Sequence, residues 1–235
     1  DYVILGMPDP GTFAEKIAQP LDKLHTIPAH LSFQEAAALP VAGVTAYRAL
    51  VTRGEAKRGE HVLITGIGGG VATLALVFAK ALGCDISVTS SSADKLARAK
   101  ELGARWGVSY KEPGWEKALV KEAGRPPDVI LDGAGGEGFS QLVAMAGPGA
   151  RIVTYGATRA LPSTIDLRRV FFRQLDIRGS TMGHSGEFVD MLKLIEREKV
   201  RPVIDRVFTL DQVRDAHARM DEGEQLGKIV LDLGA

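Results

Sequence analysis

The stretch "LITGIGGGVATLALVFAKALG" (63–83) decides the fold, because an apolar strand pattern runs into a glycine cluster and then into a long apolar helix pattern. Its first two glycines open a G-x-G-x-x-G pattern whose sixth place is Val71. The spacing fits G-x-x-G-x-x-A instead, with Gly66, Gly69 and Ala72, since only the lack of bulk matters in the last place. Such a turn aims the positive amino end of a helix at a bound phosphate. The stretch predicts a dinucleotide turn, although a crowded strand–helix junction without a ligand can also use glycines.

Strand and helix patterns alternate through the middle of the chain. Strand patterns cover 61–66, 85–90, 106–110, 127–135, 150–156 and 175–180, and helix patterns cover 70–83, 93–103, 115–124, 137–147 and 186–200. The strand cores are runs of Val, Ile and Leu without polar alternation, which is typical of parallel strands covered on both faces. Parallel strands require crossover connections, which are right-handed. The sequence therefore predicts an α/β fold with a doubly wound, six-stranded parallel sheet of the Rossmann type.

The two ends of the chain do not continue this alternation. Residues 1–35 carry four prolines and strand-like pieces such as "TFAEKIA" (12–18). Residues 201–235 read as a strand, a short helix and a strand. We expect both ends to belong to a second, smaller unit that flanks a dinucleotide-binding domain at 36–200.

Composition and charge exclude several classes of function. The chain has 235 residues, with 29 Lys+Arg against 29 Asp+Glu, so charge gives no support for a nucleic-acid partner. The longest apolar run, Val71–Ala79, is too short to span a membrane. One cysteine, Cys84, allows no disulfide framework and fits a cytoplasmic protein. The five histidines are scattered, so no metal site is predicted. A small-molecule substrate is the expected partner.

The end of the second predicted strand indicates which dinucleotide binds. An NAD site would place Asp or Glu there, about 20 residues after the turn, for the ribose hydroxyls. This chain has Ser90, Ser91 and Ser92, followed by Lys95. Hydroxyl donors and an ammonium suit the 2′-phosphate of NADP(H), which we predict as the cofactor. The serines could instead only cap the next helix, with Lys95 a solvated charge.

Several segments together resemble the medium-chain dehydrogenase/reductase superfamily, in particular its quinone-oxidoreductase-like and zinc-type alcohol-dehydrogenase-like members that act without zinc. The resemblance runs in order along essentially the whole chain, through "GTFAEK" (11–16), "LSFQEAAALPVAGVTAYRAL" (31–50), "VLITGIGGGVA" (62–72), "DKLARAKELGA" (94–104), "GARIVTYGAT" (149–158), "IRGSTMG" (177–183) and "GKIVL" (227–231). It implies that 1–35 and 201–235 are remnants of a GroES-like β domain, with a further portion of that domain ahead of residue 1. It also implies NADPH-dependent hydride transfer to a quinone, an enal, an enone or a ketone. A homodimer through the edge of the sixth strand is expected.

The resemblance also assigns residues to the site, although it names no catalytic residue. Thr45 looks like the family threonine beside the nicotinamide, and Tyr110 like a residue near the adenosine phosphate. Val41 stands where zinc-dependent relatives often have Cys or Asp, so no metal ligand is expected there. His184 is the one histidine that we consider as a proton donor. The expected cofactor-binding residues are Thr45, Gly66, Gly68, Gly69, Gly70, Val71, Ser90, Ser91, Ser92, Lys95, Tyr110, Gly133, Ala134, Tyr155, Gly156, Ala157, Ser180, Thr181, Met182 and Lys228.

Two other functions remain open from the sequence. "GHSGE" (183–187) nearly matches the G-x-S-x-G elbow of serine hydrolases, with Ser185, Asp205 or Asp211, and His217 in hydrolase order. The interval from Ser185 to His217 has room for only one further strand, which disfavours a hydrolase core. The second alternative is a non-catalytic NAD(P)H-binding module that acts as a sensor or scaffold.

Overall fold

The computed structural model describes residues 4–159 and 164–234, and the first and last residues of the predicted end ranges lie outside them. The strands are β1 Ile4–Leu5, β2 Pro8–Asp9, β3 His61–Ile64, β4 Asp85–Ser90, β5 Trp106–Ser109, β6 Val129–Asp132, β7 Arg151–Thr154, β8 Asp176–Gly179, β9 Ile204–Thr209 and β10 Lys228–Asp232. The α-helices are α1 Phe33–Ala37, α2 Pro40–Tyr47, α3 Gly70–Leu82, α4 Ala93–Leu102, α5 Trp115–Ala123, α6 Gly138–Met145, α7 Leu167–Phe172, α8 Ser185–Glu198 and α9 Val213–Asp221. A π-helical turn at Arg48–Arg53 and two 3₁₀ turns, at Leu21–Lys23 and Leu210–Gln212, complete the described elements.

The central sheet has the doubly wound order that the alternating pattern predicts. Its six strands run β5-β4-β3-β6-β7-β8, and every neighbouring pair is parallel. All four residues of β3 are buried, and Val62 pairs with Ile86 on one side and Val129 on the other. The strand order reverses between β3 and β6, which is where such sheets bind ligands. The predicted Rossmann-type fold is confirmed.

Helix α3 lies against the sheet because it is apolar nearly all round. Leu74 and Phe78 are fully buried within the main core cluster, and the helix ends where Gly83 adopts φ +76°. Glycine reaches this left-handed conformation without steric cost. Helices α1 and α2 were not predicted as separate elements. Ser32 begins α1 with a capping box, and Pro40 lies in the first turn of α2.

The chain ends differ from the expectation at one point. The predicted strand, helix and strand of the tail correspond to β9, α9 and β10, and β9 and β10 form a separate parallel pair. The strand expected at "TFAEKIA" is wrong, since 12–18 are in no helix or strand. These residues are exposed, Phe13 and Ile17 included, and they have no neighbouring strand in the described chain to complete a ladder. The division into 1–35, 36–200 and 201–235, and its GroES-like flanks, stay predictions.

Within 4–159 and 164–234, no helix has both the length and the apolar character that crossing a bilayer demands.

Candidate functional site

The glycine turn joins β3 to α3 at the carboxyl edge of the sheet. Gly66 has φ +61° and Gly68 has φ +151°, so these two positions are the ones whose backbone favours glycine. Gly69 is extended, and a methyl group on it would meet no heavy atom within 4 Å. Gly69 thus leaves room for a ligand to approach the backbone closely, and its own backbone conformation is one that any residue can adopt. Ala72, the small last residue of the pattern, is buried in the core as expected.

No side chain caps the amino end of α3. Gly69 provides no side-chain cap, and the first helical hydrogen bond runs from the Thr73 N–H to the Gly69 carbonyl oxygen. The N–H groups of Gly70, Val71 and Ala72 precede that bond and have no acceptor within the helix. A positive helix end with free N–H groups is a ready anion site.

The tail of the chain crosses this turn. The Gly227 N–H donates to the Gly68 carbonyl oxygen at 2.8 Å. The Lys95 ammonium donates to the Gly223 carbonyl oxygen at 2.6 Å. A methyl group on Gly68 would lie 3.0 Å from Lys95 Nζ, so Lys95 covers the turn directly. We call residues 222–228 the return segment.

Lys228, on the return segment, packs on the first residue of α3. A methyl group on Gly70 would lie 2.5 Å from Lys228 Cδ and 3.4 Å from the Ala42 side chain, so only glycine fits there without movement. Burial lowers the pKa of the Lys228 ammonium. Val71 is half-buried against the core. Gly70, Val71 and Lys228 therefore shape the turn and lie outside the lining of the cleft beside it.

A cleft of about 910 Å³ opens along the carboxyl ends of β3, β4 and β6. It brings together eight of the residues expected from the sequence, namely Gly66, Gly68, Gly69, Ser90, Ser91, Lys95, Tyr110 and Ala134. Burial also lowers the pKa of Lys95, with the nearby Arg219 adding to the shift. The volume is within the range of pockets that bind small molecules and cofactors.

The three serines at the end of β4 and directly after it have different roles. Ser92 caps α4, because its hydroxyl accepts the Lys95 N–H at 3.3 Å. Ser90 is buried, and its hydroxyl accepts the Ser92 N–H at 3.1 Å. Ser91 is exposed on the cleft wall. Ser92 thus serves as a helix cap, whereas Ser90 and Ser91 line the cleft.

Asp132, at the end of β6, lines the cleft but was not expected from the sequence. Its carboxylate accepts hydrogen bonds from the Thr65 hydroxyl at 2.6 Å, the Gly135 N–H at 2.9 Å and the Ala134 N–H at 3.3 Å. It is 2% exposed, so these bonds are what make its burial tolerable. The carboxylate fixes the loop after β6 against the end of β3. Its position directly after an apolar strand was the available signal.

Tyr155 fills the space beside the loop after β6. A methyl group on Gly133 would lie 2.6 Å from the Tyr155 ring, and one on Gly156 would lie 3.0 Å from the Gly133 carbonyl oxygen. Burial raises the pKa of Tyr155 well above its usual range, with the Asp132 carboxylate adding to the effect. The phenol therefore stays protonated at neutral pH. Ala157 is exposed at the end of the same segment.

The remaining expected residues lie beyond the lining of this cleft. Thr45 is buried, and its hydroxyl donates to the Val41 carbonyl oxygen at 2.6 Å. Ser180 is buried at the end of β8, and its hydroxyl has no hydrogen-bond partner among the described residues. Thr181 is exposed, and Met182 has φ +43°. The cofactor-binding roles of these residues stay predictions.

No zinc site forms within the described chain. Residues 4–159 and 164–234 contain no group of three or more His, Cys, Asp or Glu side chains that could hold a metal ion. Val41, which the family resemblance places at a zinc-ligand position, is half exposed, and its side chain has no lone pair to offer. Residues 4–159 and 164–234 thus supply no set of zinc ligands among themselves.

The "GHSGE" motif forms the start of α8. The His184 ring accepts the N–H groups of Gly186 at 3.1 Å and Glu187 at 3.4 Å, and the Glu187 carboxylate accepts the His184 N–H at 3.0 Å. Glu187 also accepts two hydrogen bonds from Arg48, both at 2.9 Å. Helix capping and an ion pair thus explain the motif without a nucleophile at Ser185.

Comparisons with known proteins find relatives among the dehydrogenases. A family model described as zinc-binding dehydrogenase matches residues 70–197, more than half of the chain. The chain is 40% identical over 221 residues to the zinc-type alcohol dehydrogenase-like protein YogA of Leptosphaeria maculans, covering 90% of this chain and 62% of that protein. It is 35% identical over 237 residues to the zinc-type alcohol dehydrogenase-like protein C1773.06c of Schizosaccharomyces pombe, covering 97% and 68%.

Two solved structures with a similar fold are a dehydrogenase and a reductase. The crystal structure of an NAD-dependent alcohol dehydrogenase superposes with a TM-score of 0.93 at 35% identity, over 99% of this chain and 68% of that one. The 2-octenoyl-CoA carboxylase reductase CinF, in complex with NADP and 2-octenoyl-CoA, gives 0.84 at 30% identity, over 89% and 52%. The chain spans less than two thirds of the Leptosphaeria relative. On these matches the chain belongs to the zinc-binding dehydrogenase family of the medium-chain dehydrogenase/reductase superfamily.

Proposed function

We propose that the chain is the nucleotide-binding part of an NADPH-dependent oxidoreductase that transfers a hydride to a quinone, an enal, an enone or a ketone. The observation that carries this proposal is the uncapped amino end of α3, which follows Gly66 and Gly68 at the switch point of the sheet. Its relatives support the reaction class, since they include an NAD-dependent alcohol dehydrogenase and a reductase solved with NADP.

The end of β4 supports NADPH over NADH. Ser90 and Ser91 line the cleft where an NAD site would place a carboxylate. Lys95 lies beside them, and its ammonium retains donors beyond the one given to the Gly223 carbonyl oxygen. Hydroxyls and an ammonium stabilise a phosphate dianion, whereas a carboxylate would repel it.

Each part of the site has a distinct task. The bound dinucleotide supplies the hydride chemistry, and the protein orients it. The N–H groups at the start of α3 would bind the pyrophosphate. The return segment holds the turn through the hydrogen bond from the Gly227 N–H to the Gly68 carbonyl oxygen. The Thr45 hydroxyl donates a hydrogen bond to the Val41 carbonyl oxygen, so its own oxygen is left to accept one. Tyr155 remains protonated and packs on Gly133, which fixes the wall after β6.

Fluorescence titration with NADPH and NADH tests the cofactor proposal. Lys95→Ala should weaken NADPH about tenfold, since a hydrogen bond to a charged group contributes about 1.5 kcal/mol or more, and should leave NADH nearly unchanged. Lys100→Ala, an exposed lysine on the same helix, is the matched control and should change neither. Tighter binding of NADH than NADPH by the wild type would contradict the proposal.

Consumption of NADPH with a panel of quinones, enones and ketones tests the catalytic part. Oxidation of NADPH with at least one acceptor class is the expected result. Saturable NADPH binding without turnover of any acceptor would instead favour a binding module that acts as a sensor.

We also propose a homodimer through the edge of the sixth strand, β8. One side of this strand has no neighbour in the described chain, and Ile177 on it is partly exposed. Phe171 and Phe172 on the nearby α7 are largely exposed. A second copy would pair the free backbone groups and cover the aromatic rings. Light scattering should give a dimer for the wild type and a monomer for Phe172→Glu, and a monomeric wild type would contradict this proposal.

A further inference from the structure

The loop after β7 carries an arginine to the rim of the cleft. The Thr158 N–H and hydroxyl both donate to the Gly133 carbonyl oxygen at 3.2 Å, and the Arg159 N–H donates to the Ala134 carbonyl oxygen at 3.0 Å. These bonds join the loop after β7 to the loop after β6. The backbone from which the Arg159 side chain extends is therefore held in place.

Arg159 is stacked on Tyr110. Its guanidinium carbon lies 4.0 Å from the centroid of the Tyr110 ring, and both residues line the cleft. The Tyr110 N–H donates to the Ser90 carbonyl oxygen at 3.2 Å. The stack therefore stands beside the end of β4, where dinucleotide folds recognise the adenosine ribose.

The charge of Arg159 is not neutralised locally. No carboxylate of the described chain forms an ion pair with it, whereas Arg48 is paired with Glu187 and Arg219 with Asp205. Two carboxylates, Asp132 and Glu137, line the same cleft. Asp132 already accepts three hydrogen bonds from other residues. A guanidinium whose carbon lies over an aromatic ring can direct its N–H donors away from the ring, and the planar fork of these donors matches the geometry of a phosphate.

We propose that Arg159, with Tyr110 as its platform, is a specificity residue that recognises the 2′-phosphate of NADPH. This inference rests on the proposed NADPH-dependent function and adds the guanidinium to the Ser90, Ser91 and Lys95 side of the pocket. The phosphate oxygens would accept hydrogen bonds from both the guanidinium and the serine hydroxyls.

Calorimetry with two probes that differ only in the phosphate tests the proposal. The full chain is titrated with 2′,5′-ADP and with 5′-AMP. Arg159→Ala should weaken 2′,5′-ADP at least about tenfold and change 5′-AMP less than about twofold. Arg159→Lys should give an intermediate loss, because an ammonium keeps the charge but not the planar fork. Arg214→Ala, an exposed arginine on α9 outside the cleft, is the control and should bind both probes as the wild type does.

The platform is tested in the same way. Tyr110→Phe keeps the ring and should keep the affinity for 2′,5′-ADP, whereas Tyr110→Ala should lose part of it. If Arg159→Ala weakens the binding of both probes equally, or of neither, the assignment of Arg159 is overturned. The proposed function is not affected by that result. If the wild type binds neither probe, the assignment and the proposed function both fall. Melting temperatures of all variants establish that each is folded.

Discussion

Replacing Gly66 by alanine should separate the conformational from the ligand-binding role of the glycine turn. Gly66 has φ +61°, and a methyl group on it would meet no heavy atom within 4 Å. The change therefore costs only the left-handed backbone, about 1–2 kcal/mol. For a chain of this length, that free energy lowers the melting temperature by roughly 2–8 °C.

The same methyl group should impair binding much more than folding. The open space around Gly66 is the wall of the cleft, so a pyrophosphate would have to withdraw from the N–H groups of α3. Losing one hydrogen bond to a charged group costs about 1.5–3 kcal/mol, which corresponds to roughly a tenfold to 150-fold weaker NADPH affinity. Fluorescence titration measures the affinity, and thermal unfolding measures the stability.

Gly59 provides the matched control. It has φ +81°, it also has no heavy atom within 4 Å of an added methyl group, and it precedes β3 at the opposite end of that strand from Gly66. Gly59→Ala should lower the melting temperature about as much as Gly66→Ala and leave NADPH affinity unchanged. Equal NADPH affinities in the two variants would refute the assignment of the turn to the dinucleotide.

Three further predictions concern stability. Glu187→Ala should lower the free energy of unfolding by about 3 kcal/mol, because it leaves Arg48 unpaired in a half-buried position. The double variant Glu187→Leu, Arg48→Met should be more stable than Glu187→Ala in urea unfolding, because it removes both charges. Burial lowers the folded-state pKa of His61, so the unfolded chain takes up the proton first. Stability should therefore fall by up to about 1.4 kcal/mol for each pH unit below about 6.5, and less in His61→Gln; equal slopes in urea titrations would contradict this. Gly227→Ala places a methyl group against the Val203 carbonyl oxygen at φ +103° and should cost about 4 kcal/mol. Gly223→Ala, with open space and φ +68°, should cost about 1 kcal/mol by the same assay.

The fold could be predicted because its central elements carry strong local patterns. The strand at 85–90 and the start of the helix at 93 match the structure, since apolar runs, serine caps and closing glycines are all close in sequence. Helix α7 was missed because "LRRVFF" (167–172) is short and its phenylalanines are exposed. Its apolar residues therefore do not recur at the spacing of a helix with one buried face. The piece at 12–18 was wrongly read as a strand because strand propensity does not supply a pairing partner.

The sequence predicted only those parts of the site whose residues lie close together along the chain. The glycine turn and the serines after β4 follow from spacing, and Ser91 and Lys95 do line the cleft. Arg159 gave no signal, because its contact with Tyr110 depends on how two distant loops meet. The same holds for Gly223, whose bond to Lys95 spans 128 positions. Contacts of this kind come from tertiary packing rather than from any pattern within a window of sequence.

The crossing of the glycine turn by the return segment has a consequence for how the protein is made. A nascent chain emerges from the ribosome with its amino-terminal part first, so β3 and α3 appear long before Gly227. Until then the Gly68 carbonyl lacks the N–H that it accepts in the finished protein, and Lys95 lacks the Gly223 carbonyl. Any part of the parallel sheet that forms during synthesis therefore forms before these two contacts to the turn exist. The part of the cleft wall that the return segment provides, Gly223 and Gln225, is therefore synthesised last.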